Sequence, residues 1–109
     1  MNPNEQIYGG KYIWHRLKNE HNIKVHGISF EEAVAVFDDP FAVEEYDANN
    51  SAEEDRYNIT GNSGGKWFVV TVTLTPRDGL VRVISARKAD SLEERAYHAS
   101  VREITGNGR

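Results

Sequence analysis

Three cations stand close together near the end of a stretch rich in valine and threonine: Arg82, Arg87 and Lys88. A guanidinium is a planar fork of donors matched to phosphate oxygens, so Arg82 and Arg87 near one sheet end can hold two oxygens of a phosphodiester. The competing reading is a pair of surface salt bridges to acids of the chain. Glu54-Asp55-Arg56 sets a carboxylate beside another guanidinium, which suits a general base next to a phosphate clamp; the alternative is a solvated loop. Histidine is the side chain that exchanges protons near neutrality, and the chain has four: His15, His21, His26 and His98. His26, just before Gly27, either does acid–base work or donates to the last carbonyls of a helix. The spacings of five and six among His15, His21 and His26 give no i, i+4 ligand pair, and there is no cysteine. No metal site and no cofactor are therefore expected, and thiolate zinc, disulfide and cysteine-nucleophile chemistry are excluded. Gly61 to Gly65 lacks the following helix that a phosphate loop needs, and no Ser-His-Asp order can be assembled.

The elements that must position these groups follow from periodicity and punctuation. Residues Met1 to Gly10 carry no repeat and read as a frayed tail, as do Thr105 to Arg109. Trp14, Leu17 and His21 fall at helical spacing, which predicts a helix over about His15–Lys24 whose apolar face covers a core, stopped by Gly27. Its other face carries Arg16 and Lys18. Ser29 and Glu32 form a capping box before Phe30, Ala33, Val34 and Phe37, predicting a helix that Pro40 ends. Tyr57 to Thr60, Trp67 to Thr75 and Leu80 to Ser85 read as consecutive strands, joined by Gly61–Gly65 and by a Pro76-Arg77-Asp78-Gly79 turn. In the second strand Val70, Val72 and Leu74 alternate with Thr71, Thr73 and Thr75, a core face backed by a threonine ladder. Arg82 is the anomaly, a charge in mid-strand. Ser91 with Glu94 caps a last helix to about Ile104, with a Tyr97, Val101, Ile104 stripe. The expected architecture is α+β: a small antiparallel meander with helices packed on one face.

The 109 residues suit one domain, with flexible ends at 1–10 and 105–109. The net charge is −4, but eight acids and no Lys or Arg lie between Asp38 and Asp55, leaving nine acids against thirteen bases elsewhere. A local anion-binding surface is compatible with that balance, and the acidic stretch reads as a solvated loop. No apolar run is long enough to cross a membrane and the first ten residues do not resemble a signal peptide, so a cytoplasmic protein with no membrane partner is expected.

The order and spacing of particular residues resemble the BrnT family of bacterial type II toxins. The resemblance runs from Trp14 through Lys18, Asn22, His26-Gly27 and Ser29-Phe30-Glu31-Glu32-Ala33, then Val36 to Pro40, Glu54, Arg56, Gly61 and Arg82. It continues through Ile84-Ser85-Ala86-Arg87-Lys88-Ala89 to Glu93 and Tyr97. It implies a RelE-like microbial ribonuclease fold, growth arrest by RNA cleavage, and a BrnA-like antitoxin as partner. DNA would be bound only through the antitoxin complex. On that basis metal-independent endonucleolytic cleavage would use Glu54 or His26 as base or acid. Arg56, Arg82 and Arg87 would stabilise the phosphorane, Lys18 and Lys88 would attract the RNA backbone, and Tyr97 would stack on a base or pack under the sheet. The rival expectation is a toxin-like binding module without catalysis, acting in transcriptional autoregulation with its partner.

Overall fold

The computed structural model describes residues 2–65 and 69–106. Among them the chain forms strands β1 (Glu5–Tyr8) and β2 (Tyr12–His15), helix α1 (Arg16–His26) and helix α2 (Phe30–Ala33). A 3-10 turn over Val34–Asp38 follows, then β3 (Val43–Tyr46), β4 (Tyr57–Asn62), β5 (Val69–Arg77), β6 (Leu80–Lys88) and helix α3 (Ser91–Thr105). The strands make one mixed sheet in the order β1-β2-β6-β5-β4-β3. The α+β class is as expected, and the sheet is twice the expected size. The predicted meander is its β4-β5-β6 centre; Trp67 and Phe68 lie outside the described residues.

The extra strands arise where the sequence carries little pattern. Glu5 to Tyr8 pair antiparallel with Tyr12 to His15, so the segment expected to fray is an edge strand. β2 pairs with β6 in parallel, through Tyr12 opposite Val81 and Ile13 opposite Arg82. Trp14 is therefore a strand residue, 1% exposed against Phe30, and not the start of a helical stripe. β3 lies within the acidic stretch and pairs with β4.

The core occupies one sheet face. Tyr12, Trp14, Ile59, Val70, Val72, Leu74, Val83 and Ala86 meet Ile28, Phe30, Ala33, Val34 and Val36 there. The Ser29–Glu32 capping box is present and starts α2 as expected, but the predicted helix tightens after Ala33. Gly61 is required where β4 passes this layer, since a Cβ there would stand 3.2 Å from Val36, Ala42 and Asp39 atoms.

The other helices do not share that face. α3 lies over the threonine face, because its Glu93 bonds Arg87, which stands opposite Thr71. Its cap is Asp90 with Glu93, one residue before the predicted Ser91–Glu94 box. α1 runs beside β6, and the side chains it buries are Asn19 and Asn22, while Leu17 is 51% exposed. Asn22 accepts from the Ala86 N–H at 3.1 Å and donates to the Ala86 carbonyl at 2.8 Å, taking the place of a neighbouring strand. Asn19 accepts from the Phe30 N–H at 2.8 Å. The helix is thus docked by amides, which an apolar periodicity search cannot find.

Candidate functional site

Between α1 and β6 the chain leaves a cleft of about 500 Å³, lined by His15, Leu17, Lys18, His21, Asn22, His26, Ile84 and Ser85. Two local events in the chain create it. β2 pairs with only the first part of β6, so a helix, wider than a strand, flanks the remainder. A β-bulge then interrupts the β5–β6 ladder: Thr73 is opposite Ser85 and Leu74 is opposite Val83, so Ile84 is the extra residue. The bulge turns both Ile84 and Ser85 to the cleft and returns Ala86 to the core, fully buried. Strict alternation along β6 would set Ser85 on the side of Val83; the bulge is the reason it is not there.

The helical wall carries the basic side chains. Lys18, His21 and His26 are exposed side chains of α1, with His26 in its last turn before Gly27, whose left-handed φ of 72° closes the helix. His15 is the helix N-cap, and its Nδ1 accepts the Leu17 N–H at 3.1 Å. The cleft so gathers three imidazoles, one ammonium and one hydroxyl around the apolar Leu17 and Ile84. His15 and His21 were counted among the histidines but not singled out from the sequence, because the wall they share is defined by the cleft against Ile84 and Ser85, which exists only in the assembled sheet.

On β6 two arginines flank the bulge. Arg82 stands opposite Thr75, and Arg87 opposite Thr71, on the threonine face. Those levels are four residues apart on β5, about 13 Å of strand, so the two guanidiniums do not meet at one phosphate as a fork. Arg82 gives Nη2 to Glu5 at 2.8 Å and is 13% exposed; its Nε is buried with no partner among the described residues. Arg87 holds Glu93 through both terminal nitrogens, at 2.7 and 2.9 Å. That bond raises the Arg87 pKa above its ordinary value, although burial opposes it. Burial would raise the Glu93 carboxyl, but the Arg87 bonds together with the Asp90 N–H hold it low. Both arginines are thus salt-bridged, to Glu5 and Glu93 and not to the acidic stretch.

Glu54 and Arg56 pair with each other at 3.3 Å and line a separate hollow with Asn49, Asn50, Ala52 and Glu53, before β4 begins. They are not brought to the cleft. Lys88 is exposed at the end of β6. Tyr97 is buried and donates its hydroxyl to Asp39 Oδ2 at 2.7 Å, so it packs and is not a free stacking platform. Burial and the Asp39 charge push its pKa up to about 12. Burial alone would raise Asp39, but the Asn62 and Phe41 N–H groups and the Tyr97 hydroxyl keep it below its ordinary value.

Residues 14–93 match a family model described as the ribonuclease toxin BrnT of type II toxin-antitoxin systems. No curated protein matches the chain.

Proposed function

Because the chain belongs to the BrnT family of ribonuclease toxins of type II toxin-antitoxin systems, we propose that the α1–β6 cleft is where it cleaves RNA. The observation that carries this is the gathering of His15, His21, His26 and Lys18 on one wall of a cleft large enough for a nucleotide. In-line cleavage needs a base to take the ribose 2′-hydroxyl proton and an acid to protonate the departing 5′-oxygen. Imidazoles serve in either state near neutrality, so the route needs no metal ion. His26 and His21 are assigned to proton transfer. Lys18 meets the phosphate, and Arg82 and Arg87 stand on β6 to either side of the bulge, stabilising the phosphorane where RNA phosphate competes with Glu5 and Glu93 for their remaining N–H groups. Glu54, paired to Arg56 in its own hollow, is left out of proton transfer. Lys88 attracts the RNA backbone at the strand end. In this reading the fold is RelE-like and the protein acts in the cytoplasm. A BrnA-like antitoxin covers the cleft, and DNA is bound only through that complex.

The test is incubation of the purified chain with a labelled single-stranded RNA in the presence of EDTA. The expected products carry 2′,3′-cyclic phosphate and 5′-hydroxyl ends, and His26→Ala lowers kcat about 100-fold with an unchanged circular dichroism spectrum. Loss of activity in EDTA would overturn the metal-free route. RNA that is shifted but never cut would favour the non-catalytic binding module.

A further inference from the structure

We propose that His15 stabilises charge at the reacting phosphate as a neutral donor, through Nε2–H, and takes no part in proton transfer. This role rests on the ribonuclease reading of the cleft and adds a residue to it. The Leu17 backbone N–H can only donate, and it donates to His15 Nδ1. A ring nitrogen that accepts carries no proton, so the proton of the neutral ring is on Nε2. The tautomer is therefore set by the helix cap itself. Adding a second proton would place one on Nδ1 against the Leu17 N–H and break the cap. The same bond anchors the Nδ1 side of the ring, and the ring is part of the cleft wall, which leaves Nε2 as the polar edge for a ligand.

The surroundings fit a donor and not an acid. Glu5, opposite His15 in the β1–β2 ladder, is the carboxylate that could have drawn a proton onto the ring, and its Oε1 accepts from Arg82 Nη2 at 2.8 Å instead. A donor held before the reaction starts needs no reorganisation as negative charge builds on the phosphorane oxygens. His21 and His26 lie further along α1, past the cap, and keep the proton transfer assigned to them. The ligand is thus a non-bridging oxygen of the RNA phosphodiester held in the cleft, met by His15 Nε2.

Two substitutions separate this role from capping. Asn is among the best N-caps but is too short to place a donor where Nε2 stands; Gln reaches that position and caps poorly. If His15 donates to the phosphate, kcat for RNA cleavage falls about 100-fold in His15→Asn, whose melting temperature equals or exceeds that of the parent. His15→Gln, although less stable, keeps more activity than His15→Asn. If His15 only caps, activity follows stability, with His15→Asn fully active, and the proposal is overturned while the ribonuclease reading stands. A parent protein that cuts no RNA overturns both. Nitrogen-15 spectra of the neutral ring supply an independent readout, since a proton found on Nδ1 removes the donor assignment whatever the activity.

Discussion

Asp39 shows how one side chain can tie three segments. It accepts the Phe41 N–H at 2.9 Å, the Asn62 N–H at 2.7 Å and the Tyr97 hydroxyl at 2.7 Å, joining the 3-10 turn, the end of β4 and the middle of α3. A hydrogen bond to a charged acceptor contributes about 1.5 kcal/mol or somewhat more, so Tyr97→Phe should lower stability by about that amount in urea unfolding at pH 7. The sign with pH follows from the shifts. Asp39 has a depressed pKa, so its contribution is complete above the ordinary carboxylate range and disappears as pH falls through its native value. The gap between wild type and Tyr97→Phe should therefore close in acid. Tyr97 has a raised pKa, so its contribution is complete below 10 and is lost as pH rises through about 12. A gap that is constant from acid to pH 7 would show that the hydroxyl bond contributes nothing. The aspartate and the tyrosine are both visible in the sequence, but nothing in a linear pattern says that positions 39 and 97 touch.

At the scale of elements, what was legible divides by mechanism. The α2 capping box, the left-handed stop at Gly27 and the central β4-β5-β6 pairing were readable because each is dictated by neighbours in sequence. The turn after β5 was placed too early: Pro76 still pairs with Val81, and the reversal is made by Asp78 and Gly79, both at positive φ. β1 and β3 were not readable, since their side chains are mostly exposed and their pairing is supplied by distant partners. The site suffered the same limit. His26 and Lys18, the one read from the sequence for proton transfer and the other for backbone attraction, line the cleft, whereas the bulge at Ile84 and the amide docking of α1 are products of the assembled sheet. That docking can be measured. Asn22→Leu keeps the branched shape and removes every bond from Asn22 to Ala86 and Ile28, leaving the buried Ala86 N–H and C=O unpaired. Each orphan costs about 1–3 kcal/mol, so the variant should unfold at a clearly lower urea concentration with an unchanged m value. It should also lose RNA cleavage in proportion greater than its loss of folded protein, because α1 supplies one wall of the cleft. Full stability in Asn22→Leu would mean that α1 is held by other contacts.

For the whole molecule, the arrangement of charge matters more than its sum of −4. The acidic strand β3, with Glu44 and Glu45, is three strands from β6 in the sheet order. At about 4.8 Å per strand that is roughly 14 Å, which exceeds the Debye length of about 8 Å at physiological ionic strength and is well within the 30 Å of about 10 mM salt. The acidic edge and the cationic cleft are therefore electrically separate under cellular conditions and coupled only in dilute buffer. Glu44→Gln with Glu45→Gln should leave RNA affinity within about twofold at 0.15 M salt and strengthen it several-fold at 0.01 M, by the screening just stated. Lys18→Ala should weaken binding at both, and should reduce the slope of log K against log salt by about 0.7, the loss of one phosphate contact on a single strand. Fluorescence anisotropy with a labelled oligoribonucleotide measures all three proteins in one salt series. Equal gains for the glutamine variant at both salt concentrations would place its carboxylates in direct contact with RNA and move the binding surface to the β3 edge. A slope unchanged by Lys18→Ala would remove the α1 wall from the path of the phosphates.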